Sequence, residues 1–224
     1  MTRFSFWRTG TAAKALMAVL SLYVVVYAIV AYTVLPLGSL VTPQMRATYV
    51  AHSVGIYGHI VGAVVALLLG PFQFSTRLRN SRPNVHRWMG RVYLGFGVLC
   101  GALFGLYMSR FAYGGTIARA GFATLALCWL YSGARAYLAI RRGAIQKHRK
   151  WMVRNFALTF GAVTLRIYLP ISHVVGIDFD VAYPVIAWIA WVPNLLVAEW
   201  AFNTAKGNAL RRPRAATSPR SSGS

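Results

Sequence analysis

The spacing of charges constrains this chain more than any other feature. No charged side chain falls between Lys14 and Arg46, nor between Arg46 and Arg77. Each gap exceeds the roughly 20 apolar residues that carry a helix across a bilayer. A soluble domain keeps a polar face toward water along every element, so it does not contain such stretches. Of the 224 residues, 57% are hydrophobic and only 12% charged, which excludes an ordinary soluble enzyme. The formal charge of +21 raises the question of a nucleic-acid binder. The apolar runs answer it: the chain reads as a polytopic membrane protein with no nucleic-acid partner.

Charge, Pro and Gly bound six expected spans at about 15–37, 52–74, 88–110, 117–140, 150–172 and 182–204. The expected fold is therefore an all-α transmembrane bundle. Residues 1–14 form a basic N-terminal segment, 15–205 the membrane domain, and 206–224 a basic tail too poor in apolar residues to order itself. Of the 24 Lys and Arg residues, eighteen fall on the side of the termini and three, Arg46, Arg110 and Arg119, on the other. Basic residues stay cytoplasmic during insertion, so both termini are expected inside the cell membrane. The partner this charge implies is the anionic headgroup layer of the cytoplasmic leaflet. With every connection short, any chemistry must lie in the bundle or at its rim. Cys100 and Cys128 form no CxxC pair and read as small hydrophobes.

One phrase occurs twice. His86-Arg87-Trp88-Met89-Gly90-Arg91 opens the third expected span and His148-Arg149-Lys150-Trp151-Met152-Val153-Arg154 opens the fifth, both from the cytoplasmic side. One reading is interfacial: Trp anchors at the headgroups and Arg snorkels. The sharper reading is that His86 and His148, at equal depth, ligate one metal or a haem iron, with Arg87, Arg91 and Arg149 pairing the haem propionates. Glu199, the only Glu, descends on the sixth span to the depth of Arg154, and a structural ion pair is expected there. A metal set of His86, His148 and Glu199 is the other use of that carboxylate.

Toward the outer side, His59 lies within the second span, and Arg166 and His173 lie near the outer end of the antiparallel fifth span. Ionisable groups at such depth are costly and mark functional positions. These three form a possible outer polar site, and a transport path would be lined by His59, Arg166, Tyr57 and Tyr168. Gly58 with Gly62, and Gly97 with Gly101 and Gly105, form small faces suited to close helix packing or to docking in a larger complex.

The ordered phrases resemble a known family. His59, Gly70-Pro71-Phe72-Gln73-Phe74, the His86-to-Arg91 phrase, Gly114-Gly115, Ile140-Arg141-Arg142-Gly143, the His148-to-Arg154 phrase, Ala162-Val163-Thr164-Leu165-Arg166 and Trp191-Val192-Pro193-Asn194 are similar to predicted bacterial and fungal membrane proteins catalogued as domain of unknown function 2306. The resemblance implies a multi-helix membrane fold and marks His59, His86, His148 and Arg166 as motif positions. A second resemblance is to the cytochrome b561 type of helix bundle, where a His pairs with a His two helices later. His86 and His148 match that spacing, whereas the fourth span has no His to partner His59. This resemblance implies one haem b and membrane electron transfer, while three acids and no recognisable phrase of nucleophile, base and orienter argue against hydrolysis. The alternatives are a small-solute or ion transporter and a structural subunit of a membrane complex.

Overall fold

In hydrocarbon every backbone N–H and C=O must find its partner inside its own segment, which leaves the helix as the unit from which these apolar runs can be built. The structure, a computed structural model, describes the backbone of residues 11–210 and the side chains of 12–202. Arg3, Arg8 and the tail beyond residue 210 lie outside the described residues. Among those described, every regular element is helical.

Helix α1 (Thr11–Ile29) runs into a π-helical turn, Val30–Val34. A short α2 (Pro43–Ala51) starts where the Thr42 hydroxyl accepts from the Met45 N–H, and α3 spans Ser53–Gln73. Ser75 caps α4 (Thr76–Ser81) by accepting from the Leu78 N–H. Then α5 (Pro83–Val92) passes through a second π turn, Tyr93–Val98, into α6 (Leu99–Ser109). After α7 (Gly115–Arg141) come α8 (Ile145–Thr159), α9 (Gly161–Val174), α10 (Phe179–Ile189) and α11 (Val192–Leu210). The break between α10 and α11 follows from Pro193, which has no N–H to continue the ladder. The tight α6–α7 turn uses Gly114 and Gly115 at φ +84° and +72°, where a side chain would be strained.

Among the described residues, five continuous stretches are long and apolar enough to cross a bilayer: Ala12–Val34, Ser53–Gln73, Pro83–Ser109, Ile145–Val174 and Phe179–Phe202. The remaining expected span corresponds to α7. Its 27 residues extend about 40 Å, but Arg119, Arg135 and many Ala and Gly dilute its apolarity. It packs against α6, α8 and α10, so protein rather than lipid covers much of it. Large apolar side chains such as Val19, Val54 and Leu196 face outward on the other helices, as lipid contact requires.

Two stretches begin five residues before the expected spans, at Pro83 and Ile145. The phrases carrying His86 and His148 are thus first turns of helices rather than loops. Long basic stems lying on apolar surface with their heads in water support such turns. At the other end, α11 continues to Leu210, past the expected boundary at 204.

Close packing is concentrated where α3 meets α6. A Cβ on Gly62 would land on the Gly101 backbone, one on Gly97 would come within 3.0 Å of the Ala66 nitrogen, and one on Gly105 within 2.8 Å of His59 Nδ1. Beside this seam lies a buried polar network. The Tyr93 hydroxyl donates to Asn155 Oδ1 at 2.7 Å, Asn155 Nδ2 donates to the Trp129 carbonyl and to Ser132 Oγ at 2.9 Å each, and Trp129 Nε1 donates to Thr159 Oγ1 at 2.9 Å. Tyr93 and Asn155 are fully buried, so these bonds replace water completely. Tyr93 is the first residue of the π turn.

Candidate functional site

The contacts define two ends. At the basic end, Arg79 on α4 and His86 on α5 lie within electrostatic range of Arg149 and His148 on α8, and His148 Nδ1 donates to the Ala136 carbonyl at 2.9 Å. At the far end, α2, the α6–α7 turn and the α9–α10 connection gather. There Tyr113 donates to Asp180, which raises the Tyr113 phenol above its ordinary pKa, and His52 Nδ1 bonds the Tyr107 hydroxyl at 2.9 Å.

Between the centre and the far end lies a cavity of about 490 Å³, bordered by α1, α2, α3, α6, α7, the end of α8, α9 and α10. That volume is within the range of small-molecule sites. Its walls are largely apolar, with Val24, Ile60, Leu67 and Leu165 among them, and the network residues Trp129 and Thr159 also contribute. The polar exceptions are His59, Arg119, Arg166 and the tyrosines Tyr32, Tyr49 and Tyr183, with Gln44 and Thr48 on the α2 side. His59 Nδ1 sits 2.7 Å from the Gly101 carbonyl. Because a carbonyl only accepts, Nδ1 carries the proton, and Nε2 is the nitrogen left to engage a ligand. Gly105 makes room for the ring.

Arg166 donates through Nη1 to its own helix at the Ala162 carbonyl, 3.0 Å, and its guanidinium carbon lies 5.0 Å from the Tyr27 ring centroid. Its Nε is buried with no hydrogen-bond partner. His59, Tyr32, Tyr49 and Tyr183 all lie within its electrostatic reach. Tyr49, on α2, is pushed well above the ordinary phenol pKa chiefly by burial, so it acts as a neutral hydroxyl. No carboxylate answers this cation. Asp178 caps α10 by accepting from the Asp180 N–H at 2.8 Å, and Glu199 is held by Arg154. The cavity lining therefore holds two guanidiniums, the exposed Arg119 and the half-buried Arg166, and for Arg166, in apolar surroundings, this is a costly arrangement that an anion relieves.

The sequence reading grouped His59, Arg166 and His173. The structure sets His59 and Arg166 on one cavity, whereas His173 is exposed and outside it. Two turns beyond Arg166, about 10 Å along α9, it has passed the packed part of the bundle. Tyr57 and Tyr168 do not line the cavity either; Tyr57 opens on a shallow groove beside Phe96 and Phe104. The tyrosines that do line it escaped the sequence, because an interfacial Tyr gives no sign of the helix it faces.

At the basic end, His86 and His148 lie within electrostatic range of each other. His86 Nδ1 is buried without a partner, and the bond from His148 Nδ1 to Ala136 leaves its Nε2 open. Arg87 is committed to its own helix, donating to the Pro83 carbonyl at 3.3 Å and to Asn84 Oδ1 at 3.0 Å. Arg91 is exposed, and Arg149 is half-buried. Among the described residues no three of His, Cys, Asp and Glu converge as a metal set. The combination of His86, His148 and Glu199 is therefore not formed, and two imidazoles, enough for the axial positions of a haem, are the most this end offers.

Glu199 instead receives two bonds from Arg154, one from Nε and one from Nη2 at 2.8 Å, while Arg154 stacks on Trp151 at 4.7 Å. The side chains are 21% and 38% exposed, so the pair is only partly desolvated. Replacing Glu199 with Gln is expected to cost on the order of 1 kcal/mol. In a detergent melt this appears as a shift of a few degrees; an unchanged melting curve would show that the pair adds nothing.

The sequence matches the family described as predicted membrane protein (DUF2306) over residues 56–202. The chain belongs to this family. The DUF2306 stretch takes in His59, His86, His148, Arg154, Arg166 and Glu199, while α1 and α2, with Tyr32 and Tyr49, precede it. No curated protein and no solved structure matches the chain, so the likeness to cytochrome b561 bundles has no support from that side.

Proposed function

We propose that this DUF2306 protein binds a small amphiphilic anion inside its helix bundle, as the solute site of a membrane transporter. The observation that carries the reading is Arg166: a guanidinium with a buried, unpartnered Nε beside a cavity of about 490 Å³ whose walls are mostly apolar. A carboxylate or similar group on the solute neutralises Arg166 and accepts from tyrosine hydroxyls, and the apolar body fills the rest. Dodecanoate is a suitable probe. Titrated into the purified protein, it is expected to raise the melting temperature. Arg166→Gln should weaken binding by tenfold or more, consistent with roughly 1.5 to 3 kcal/mol for a hydrogen bond to a charged group. Arg166→Lys should retain part of it. Equal binding by wild type and Arg166→Gln would end the reading, and proteoliposome flux would then have no anchor in this cavity.

The electron-transfer alternative, haem b or a metal on His86 and His148, draws on their two uncommitted ring nitrogens. Guanidiniums nearby repel a bare metal cation and favour only a haem, through its propionates. A Soret band in the purified protein is its test. The structural-subunit alternative loses its main support, because the glycine faces offered for docking are consumed at the α3–α6 seam.

A further inference from the structure

Independently of the cavity, the basic end gathers side chains that the solute reading does not use. Arg79 on α4, His86 on α5, and His148 and Arg149 on α8 lie within electrostatic range of one another in sequence around the group. Arg79 is drawn below its ordinary pKa, first by burial and then by the Arg149 charge, a sign of cationic groups crowded together. Two buried polar atoms on this side have no hydrogen-bond partner: His86 Nδ1 and Gln73 Nε2. Gln73 is 7% exposed, and its amide lies against Gly90, where a Cβ would come 3.1 Å from its Oε1. Gly90 is one turn from His86 on the same face of α5. The helices α5 and α8 also begin at this end, at Pro83 and Ile145, and direct their positive termini toward it. The chain's acidic side chains are elsewhere: Asp178 and Asp180 at the far end and Glu199 on Arg154.

We propose that Gln73, Arg79, His86, His148 and Arg149 form a binding site for one phosphate group. A phosphate suits this set because its oxygens accept at once from the guanidiniums, the Gln73 amide and a His86 ring N–H, with His148 donating from Nε2 as the imidazolium that the phosphate charge favours, and its charge offsets the crowding of cations. A bare metal cation would add to that crowding. The phosphate can come from an anionic lipid headgroup or from a soluble phosphate compound, and the experiment separates the two.

The full chain, purified in detergent, is titrated with phosphatidylglycerol under native mass spectrometry and, separately, with inorganic phosphate by calorimetry. The variants are Arg79→Gln with Arg149→Gln, Gln73→Leu, and the exposed Arg142→Gln as a control at the same end. One tightly bound phosphatidylglycerol per chain, weakened about twenty-five-fold in the double variant at roughly fivefold per guanidinium and unchanged in the control, supports the site with lipid as its source. The same pattern with inorganic phosphate supports a soluble source. Gln73→Leu removes a buried donor without removing charge, and a loss of binding in that variant with its melting temperature kept marks a built site rather than a charged rim. Binding of neither probe, or equal binding in all variants, overturns the proposal. So does a Soret band with one iron per chain, which would assign the imidazoles to haem. Because Arg166 lies at the other end of the bundle, dodecanoate binding should persist in the double variant, which keeps failure of this site distinct from failure of the cavity reading.

Discussion

Gly62→Val is expected to leave little folded protein. The first atom of any side chain at residue 62 would coincide with the Gly101 backbone, and backbone in the middle of a helix cannot move aside as a rotamer can. Overpacking in a core commonly costs 1 to 3 kcal/mol; with backbone as the obstacle the cost should reach or exceed the upper figure, against a total stability of about 5 to 15. Monodisperse yield from detergent and the melting temperature give the readout. Gly95→Ala is the matched control on the partner helix, since its Cβ would meet nothing within 4 Å. Comparable behaviour of the two variants would show that the α3–α6 seam is not as close as described. The seam also bears on binding: it holds the Gly101 carbonyl against His59, so any folded Gly62 variant should bind dodecanoate poorly.

The second large effect is expected at Asn155. Its amide supplies two donors and one acceptor to Trp129, Ser132 and Tyr93, all of them buried. Asn155→Leu fills a similar volume but removes three bonds and leaves polar neighbours partly unsatisfied. Such a loss costs about 2 to 4 kcal/mol. Ser132→Ala, which removes one acceptor, should cost under about 1. Thermal unfolding in detergent checks both, and equal melting temperatures would mean that the network contributes packing alone. Because Trp129 and Thr159 also line the cavity, weakened solute binding should accompany the loss in Asn155→Leu.

How much of this was legible in the sequence varies with the physical signal. Charge gaps of thirty residues or more leave only membrane helices as a solution, so the all-α architecture could be read directly. The helix starts at Pro83 and Ile145 could not, because hydropathy marks where a helix enters hydrocarbon rather than where it begins. Glu199 and Arg154 could be paired by depth, since one carboxylate had few cations at its level. Depth likewise brought His59 and Arg166 together on antiparallel spans, but it does not report lateral position, so His173 was grouped with them although it stands outside the packed bundle. Tyr32, Tyr49 and Tyr183 were invisible for a related reason. When a helix is apolar all round, no moment in the pattern says which face meets which neighbour. The two π turns leave no compositional trace at all.

The π turn at Tyr93–Val98 has a further consequence for comparing relatives. One additional residue in a helix rotates everything after it by about 100° relative to an uninterrupted ladder. The phase of α6 is therefore set independently of α5, and the glycines can meet α3 while His86 keeps its own orientation at the basic end. A relative lacking a single residue in this turn could retain every recognisable phrase and the same hydropathy, yet direct Gly101 and Gly105 away from His59. For DUF2306 sequences, a one-residue gap at this point in an alignment separates chains with different cavities, whereas a longer gap in a loop need not.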